Sequence, residues 1–355
     1  MTAGEKLMRN LKTFLKTSMN NGCQGKREKN KIWIGLTILL AMTVLLSLCL
    51  GAAHLTPAEV LQGLLSGPKS SLAGTIIWYA RIPRTAACLL AGMGLAVSGA
   101  VIQNVLANKL ASPGIIGVNA GAGLAVTVCC ALGILSGTVI ATSAFLGALV
   151  AVLLITITAQ KMGASRTTVI LGGVAVNSFL NAASEAVRTL VPDAGVLSGD
   201  FRVGGFTAVA TSRLLPAGIL ILFAFIILLT LCNELDILNL GETSAQGLGL
   251  PVKKMRTIFL VLASLLAGAS VSFAGLLGFV GLIVPHIGRR LTGGESRMLL
   301  VFCALGGAFI VTLSDLLGRL LFQPYEIPVG ILMSFIGGPF FLFLLFRNKG
   351  GHHHD

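Results

Sequence analysis

Ten apolar runs, separated by short polar breaks, divide the chain between Ile32 and Phe346 and leave it few folds to adopt. They cover roughly residues 32–51, 82–106, 114–134, 138–159, 168–190, 213–232, 257–274, 277–287, 298–318 and 328–346. A helix of about 20 residues, rising about 1.5 Å each, crosses about 30 Å of hydrocarbon. Lipid offers no partner to a backbone N–H or C=O, so such runs pair internally and become helices. Charged residues make up only 11% of the chain, against about 25% in soluble domains. The expectation is an all-α membrane protein of about ten transmembrane helices. The run 277–287 is too short to cross alone, so it belongs to an interrupted helix pair buried in protein.

The charges sort by side. With the N-terminus inside, nineteen basic residues fall on the inner side and seven on the outer. This is the bias that orients membrane proteins, and an even number of spans returns the C-terminus to the cytoplasm. The net charge of +13 is therefore a matter of topology, and no nucleic-acid partner is expected. The organisation reads as a basic cytoplasmic arm (1–31), a membrane domain (32–346) and a short cytoplasmic tail (347–355). The arm is suited to touch anionic membrane lipid. The first run is longer than the apolar core of a secretory signal and reads as an uncleaved span. The closing GGHHHD reads as a tag remnant.

Several functions are disfavoured. No GxxxxGK[ST] phosphate loop occurs, so the chain does not cradle nucleotide in that way. No zinc pattern or nucleophilic serine motif appears, and the seven cysteines lack metal or disulfide spacing and read as packing residues. A proton-driven pump would want carboxylates deep within its spans; only Glu185 and Asp315 are candidates, and both lie near segment ends. The pattern suits a pathway whose energy source lies elsewhere.

Four blocks carry the specific signal. Arg81-Ile-Pro-Arg84 opens the stretch RIPRTAACLLAGMGLAVSGAVIQNVLANKLASPGIIGVNAGAG, ending at Gly123. Charge at the mouth of an apolar span asks for water or an acidic partner. Gly92, Gly94, Ser98 and Gly99 recur at spacings that let helices pack closely in lipid. The segment NLGETSAQGLGLP from Asn239 to Pro251 is rich in small and turn-forming residues and is followed by Lys253, Lys254 and Arg256. The string GFVGLIVPHIGR spans Gly278 to Arg289; its His286 reads as a packed or interfacial histidine. Asp315 and Arg319 stand four apart, so a helix places them on one face where they can pair, and Glu326 follows.

In wording and order these blocks resemble the FecCD-type permeases, the membrane subunits of type II ABC importers for iron siderophores, haem and cobalamin. The resemblance covers about residues 32–346. It implies a multi-pass bacterial cell-membrane protein that works with a second permease copy, identical or a sister subunit. Two ABC ATPase subunits would dock inside, and an extracytoplasmic substrate-binding protein outside. This chain would be no enzyme and bind no cofactor or metal; ATP and Mg would be used by the partner ATPase. The resemblance places the ATPase-coupling loop at Leu240, Gly241, Glu242, Ala245, Leu248 and Gly249. Glu242 would position the coupling helix, and the glycines would permit close contact. It places binding-protein docking on Arg81, Arg84 and Arg319, and a cytoplasmic gate near Asn108, Leu110, Ser165 and Thr167. Two departures touch the gate: Lys109 stands where the family usually has proline, and Arg166 adds a charge. The implied cargo is an iron chelate, ferric siderophore first and haem or cobalamin behind. An ion-driven secondary transporter is the alternative, and a membrane scaffold or sensor a more distant one.

Overall fold

The computed structural model describes residues 31–51, 55–68, 71–161, 166–207 and 209–349, and among them every regular element is a helix. The basic arm before Lys31, the last six residues and Ser165 lie outside the described residues. The long helices are α1 (Lys31–Cys49), α4 (Ile82–Val105), α6 (Gly137–Lys161), α7 (Arg166–Leu190), α10 (Thr211–Thr230), α13 (Val252–Ala274), α15 (Ser296–Leu320) and α16 (Val329–Lys349). Two shorter helices, α5 (Val118–Ala131) and α14 (Val280–Thr292), lie among them. Each of the ten expected runs is thus helical. Seven helices are long and apolar enough to cross a membrane.

The polar breaks hold more structure than the sequence suggested. The break after the first run folds into α2 (Pro57–Ser66), then α3 (Leu72–Ile76) and a π-helical turn (Ile77–Arg81) that continues into α4. A capping box opens α2: the Thr56 hydroxyl accepts from the Glu59 N–H, while the Thr56 N–H donates to the Glu59 carboxylate. That backbone bond, with one from the Thr56 hydroxyl, holds the Glu59 carboxyl below its usual range. Later breaks fold into α8 (Pro192–Leu197), α9 (Gly199–Val203), α11 (Cys232–Asn239) and α12 (Glu242–Gly247).

Helix α4 is the axis of the bundle, packed against α13, α14 and α15 and buried along almost its whole length. Its small residues make this possible. Gly92 lies against the backbone of Gly307 on α15, and Gly99 against the backbone of Gly281 on α14. Ser98 Oγ donates 2.6 Å to the Ala263 carbonyl, and a Cβ on Gly94 would meet Ser270 Oγ, both on α13. As α4 advances from 94 to 98 its partners on α13 recede from 270 to 263, so the two helices run in opposite directions. Because Gly99 faces backbone, no side chain can swing aside to admit a methyl group. We expect Gly99→Ala to cost about 1–3 kcal/mol or more through overpacking. Thermal unfolding in detergent checks this; an unchanged midpoint would show that α14 shifts freely.

Irregular backbone occurs where the bundle shields it. The segment between α4 and α5 buries Ala111, Pro113, Ile116 and Gly117. Asn177 of α7 donates to the carbonyls of Gly114 (2.8 Å) and Ile115 (2.9 Å), pairing groups that lipid would leave unpaired. The expected interruption between α13 and α14 is present: Gly275 turns with φ +71°, and Phe279 adopts φ +63°. A phenylalanine in the left-handed region is strained. Its ring is held against Gly337 of α16, where a Cβ would strike it. His286 packs edge-on to Phe340 of α16 at 5.8 Å between ring centres, the structural role its context suggested.

Candidate functional site

Of the three arginines expected to dock a partner, two share one carboxylate and the third holds the end of α1. Asp315 is 1% exposed and receives Arg84 (3.0 Å) from α4 and Arg319 (3.0 Å) from its own helix. Arg84 also pairs with Glu326 at 2.8 Å. Arg319 reaches Ser47 Oγ at 2.9 Å, and Ser47 bonds Thr85 at 2.9 Å. Arg81 donates to the carbonyls of Leu48 (2.6 Å) and Cys49 (2.7 Å). Those carbonyls close α1, where a helix C-terminus carries unpaired acceptors and partial negative charge.

The three arginines of the expected docking face are unevenly exposed. Arg81 and Arg319 are each 5% exposed and turn inward, because the end of α1 offers carbonyls that water would otherwise have to satisfy. Arg84, at 16%, and Glu326, at 31%, are the members of the cluster with access to solvent. An open cavity of about 500 Å³ lies at the same end of α13, where Asp200, Phe201, Arg213 and Phe273 are among its lining residues.

At the opposite end of the bundle lies the expected coupling loop. Between α11 and α13, the chain forms the short helix α12 flanked by Leu240 and Leu248, each 63% exposed. Ala245 is fully buried and ties α12 down, its carbonyl accepting from the Leu250 N–H at 3.0 Å. Glu242, in the first turn, pairs at 3.0 Å with Arg256 of α13, whose side chain is only 4% exposed. A buried cation on a long helix thus fixes the position of the small one. Gly241 (φ +105°) and Gly249 (φ +81°) have open space around them. They supply left-handed turns at either end of α12 rather than close approach within the chain. On α11, burial and then the charge of Asp236 push the Cys232 thiol up to about 11.

The candidate gate residues divide. Asn108 caps its own turn, its side-chain oxygen accepting from the Leu110 N–H at 2.9 Å, and both residues are half-buried. Thr167 is exposed at the start of α7, while Ser165 is outside the described residues. From Arg84 to Asn104, α4 advances twenty residues, or about 30 Å, the thickness of a bilayer core. The arginine cluster and the end that carries α12 therefore stand one membrane apart.

A polar feature passed over in the sequence lies on α7. Ser178, Asn181, Glu185 and Thr189 form one exposed stripe with helical spacing, on the least apolar of the seven long helices. Glu185 is paired with Arg188 and Arg202. A 3.6-residue polar period within the run 168–190 was the signal that could have found it.

Comparison with known proteins gives the family of this helical bundle. A profile of the FecCD transport family matches residues 39–347. The chain is 37% identical to the Fe(3+)-citrate import system permease protein YfmE of Bacillus subtilis, over 90% of this chain and 96% of that one. It is 35% identical to the iron(3+)-hydroxamate permease FhuG of the same organism, covering 91% and 98%. The vitamin B12 import permease BtuC of Klebsiella pneumoniae is 34% identical, covering 92% and 96%. A metal-chelate type ABC transporter solved in an inward-facing conformation superposes with a TM-score of 0.80 at 30% identity, over 90% of this chain and 99% of that one. With the family matched along nearly the whole membrane domain, the chain belongs to the FecCD transport family and is a multi-pass membrane permease subunit of an ABC importer.

Proposed function

We propose that this permease imports an iron chelate, a ferric siderophore first, using ATP hydrolysed by separate ATPase subunits. The observation that carries the reading is α12: a small helix fixed by the Glu242–Arg256 pair, with Leu240 and Leu248 offered to a partner. An ATPase would dock there on the cytoplasmic side, where both termini would lie. At the other end a binding protein would approach Arg84 and Glu326, with Arg81 and Arg319 holding the helices that present them. The passage would run between two permease copies. Support comes from the polar stripe on α7, which an isolated chain would leave facing lipid at a cost. A cargo such as haem or cobalamin is the second choice, since relatives named for iron citrate, iron hydroxamate and vitamin B12 match about equally well.

The test is uptake into vesicles holding the permease with its cognate ATPase and binding protein, offered labelled ferric citrate, a ferric hydroxamate or cobalamin. We expect ATP-dependent uptake of an iron chelate. Cobalamin uptake alone would overturn the cargo, and uptake that needs no ATP would favour an ion-driven carrier. Arg84→Glu should weaken binding-protein docking about tenfold, roughly 1.4 kcal/mol. Unchanged docking, read by titrating binding protein against the vesicles, would remove Arg84 from the contact.

A further inference from the structure

At the far end of α4 from the arginine cluster, five polar side chains meet in an otherwise apolar bundle. Gln103 and Asn104 close α4 and are 2% and 7% exposed. Arg289 of α14 reaches across with both terminal nitrogens, one donating to Gln103 Oε1 and the other to Asn104 Oδ1 at 2.8 Å. Gln103 Nε2 donates to the Gly281 carbonyl at 3.1 Å, at the other end of α14. Asn104 Nδ2 donates to Ser296 Oγ at 3.3 Å, and the Ser296 N–H donates to Asp236 of α11 at 2.9 Å. Asp236 sits four residues before Leu240, where the partner-facing loop begins.

The same two amide residues hold the candidate gate through their backbone. The Gln103 carbonyl accepts from the Asn108 N–H, and the Asn104 carbonyl from the Ala107 N–H, both at 3.1 Å. Ala107 is turned to φ +45°, an unfavourable angle for alanine. Side chains on one side, backbone on the other: these bonds link α11, through Asp236, Ser296 and Asn104, to the Asn108 turn. A bidentate guanidinium is well suited to hold two amides in fixed register, which a lysine ammonium cannot do. We propose that Arg289, with Gln103 and Asn104, is a positioning cluster that carries movement of the ATPase-facing loop to the Asn108–Leu110 turn. This deepens the importer reading and rests on it.

The experiment needs no knowledge of the cargo. In a chain with Cys23 and Cys49 replaced by serine, the other five cysteines are buried, so Leu110→Cys is the reporter. The permease is assembled with its ATPase in vesicles, and maleimide labelling is followed with and without ATP trapped by vanadate. We expect the trapped state to change the labelling rate by roughly five- to tenfold. Arg289→Lys should abolish that change while ATPase assembly and nucleotide trapping persist, and Asp236→Asn should reduce it. A change that survives Arg289→Lys overturns the proposal. Loss of assembly in both variants assigns the cluster a purely structural role and overturns it too. Labelling that ignores nucleotide in the unmutated background, with the ATPase assembled, instead removes the gate at Leu110, and the proposal falls with it.

Discussion

Asp315→Leu should destabilise the permease more than any other single change at the arginine cluster. The carboxylate is 1% exposed and serves Arg84 and Arg319 together. Removing it leaves two guanidinium groups in a desolvated site with only Glu326, on one side, to answer them. Breaking a buried pair by deleting one partner costs about 3–5 kcal/mol, because the remaining charge is stranded. The loss should fall first on α1. Apart from its C-terminal end, α1 is mostly exposed, and that end is held by Arg81 at Leu48 and Cys49 and by Arg319 at Ser47. We therefore expect a lower unfolding midpoint in detergent and poor recovery of monodisperse protein. Adding Arg319→Met to Asp315→Leu should restore part of the loss, since removing both charges ends the imbalance. A single variant as stable as the parent would mean that water already serves these charges and that α1 is held by other contacts.

That cluster also marks the boundary of what the sequence could disclose. The apolar runs were legible because hydropathy over about twenty residues is a local property and lipid permits only paired backbone. The pairing of Asp315 with Arg319 was legible for the same local reason, their spacing on a helix. The inward turn of Arg81 and Arg319 was not, because its cause is a set of carbonyls at Leu48, Cys49 and Leu50, distant along the chain. The helical extension ahead of Arg81, with its π-helical turn, was also hidden. At the other end, the resemblance picked out the stretch from Leu240 to Gly249 but not the backbone conformation of its glycines. Their positive φ and empty surroundings are three-dimensional facts. The buried amides Gln103 and Asn104 close an apolar run, and only their partners on α14 and α15 reveal why they are there.

Glu242→Arg should abolish function by a different route, with the membrane bundle left intact. Arg256 emerges from α13 with its side chain 4% exposed, and Glu242 meets it from the first turn of α12 while remaining 40% exposed. Reversal sets two cations against each other, but the exposed partner can swing into water. The penalty is therefore about 1–2 kcal/mol, below that of a fully buried break. It falls on six residues of helix with few other anchors, chiefly Ala245 and its bond to Leu250. Such an element loses its orientation well before the ten apolar helices lose theirs. Leu240 and Leu248 would then no longer be offered in register, and each 1.4 kcal/mol lost from that interface lowers ATPase affinity about tenfold. The expected signature is a split: an unfolding midpoint close to the parent, with co-purified ATPase and ATP-dependent uptake both largely lost. Glu242→Gln keeps a hydrogen-bond acceptor toward Arg256 and should retain intermediate assembly. If Glu242→Arg still binds its ATPase at full strength, the partner does not read the position of α12, and the coupling assignment moves elsewhere on that face.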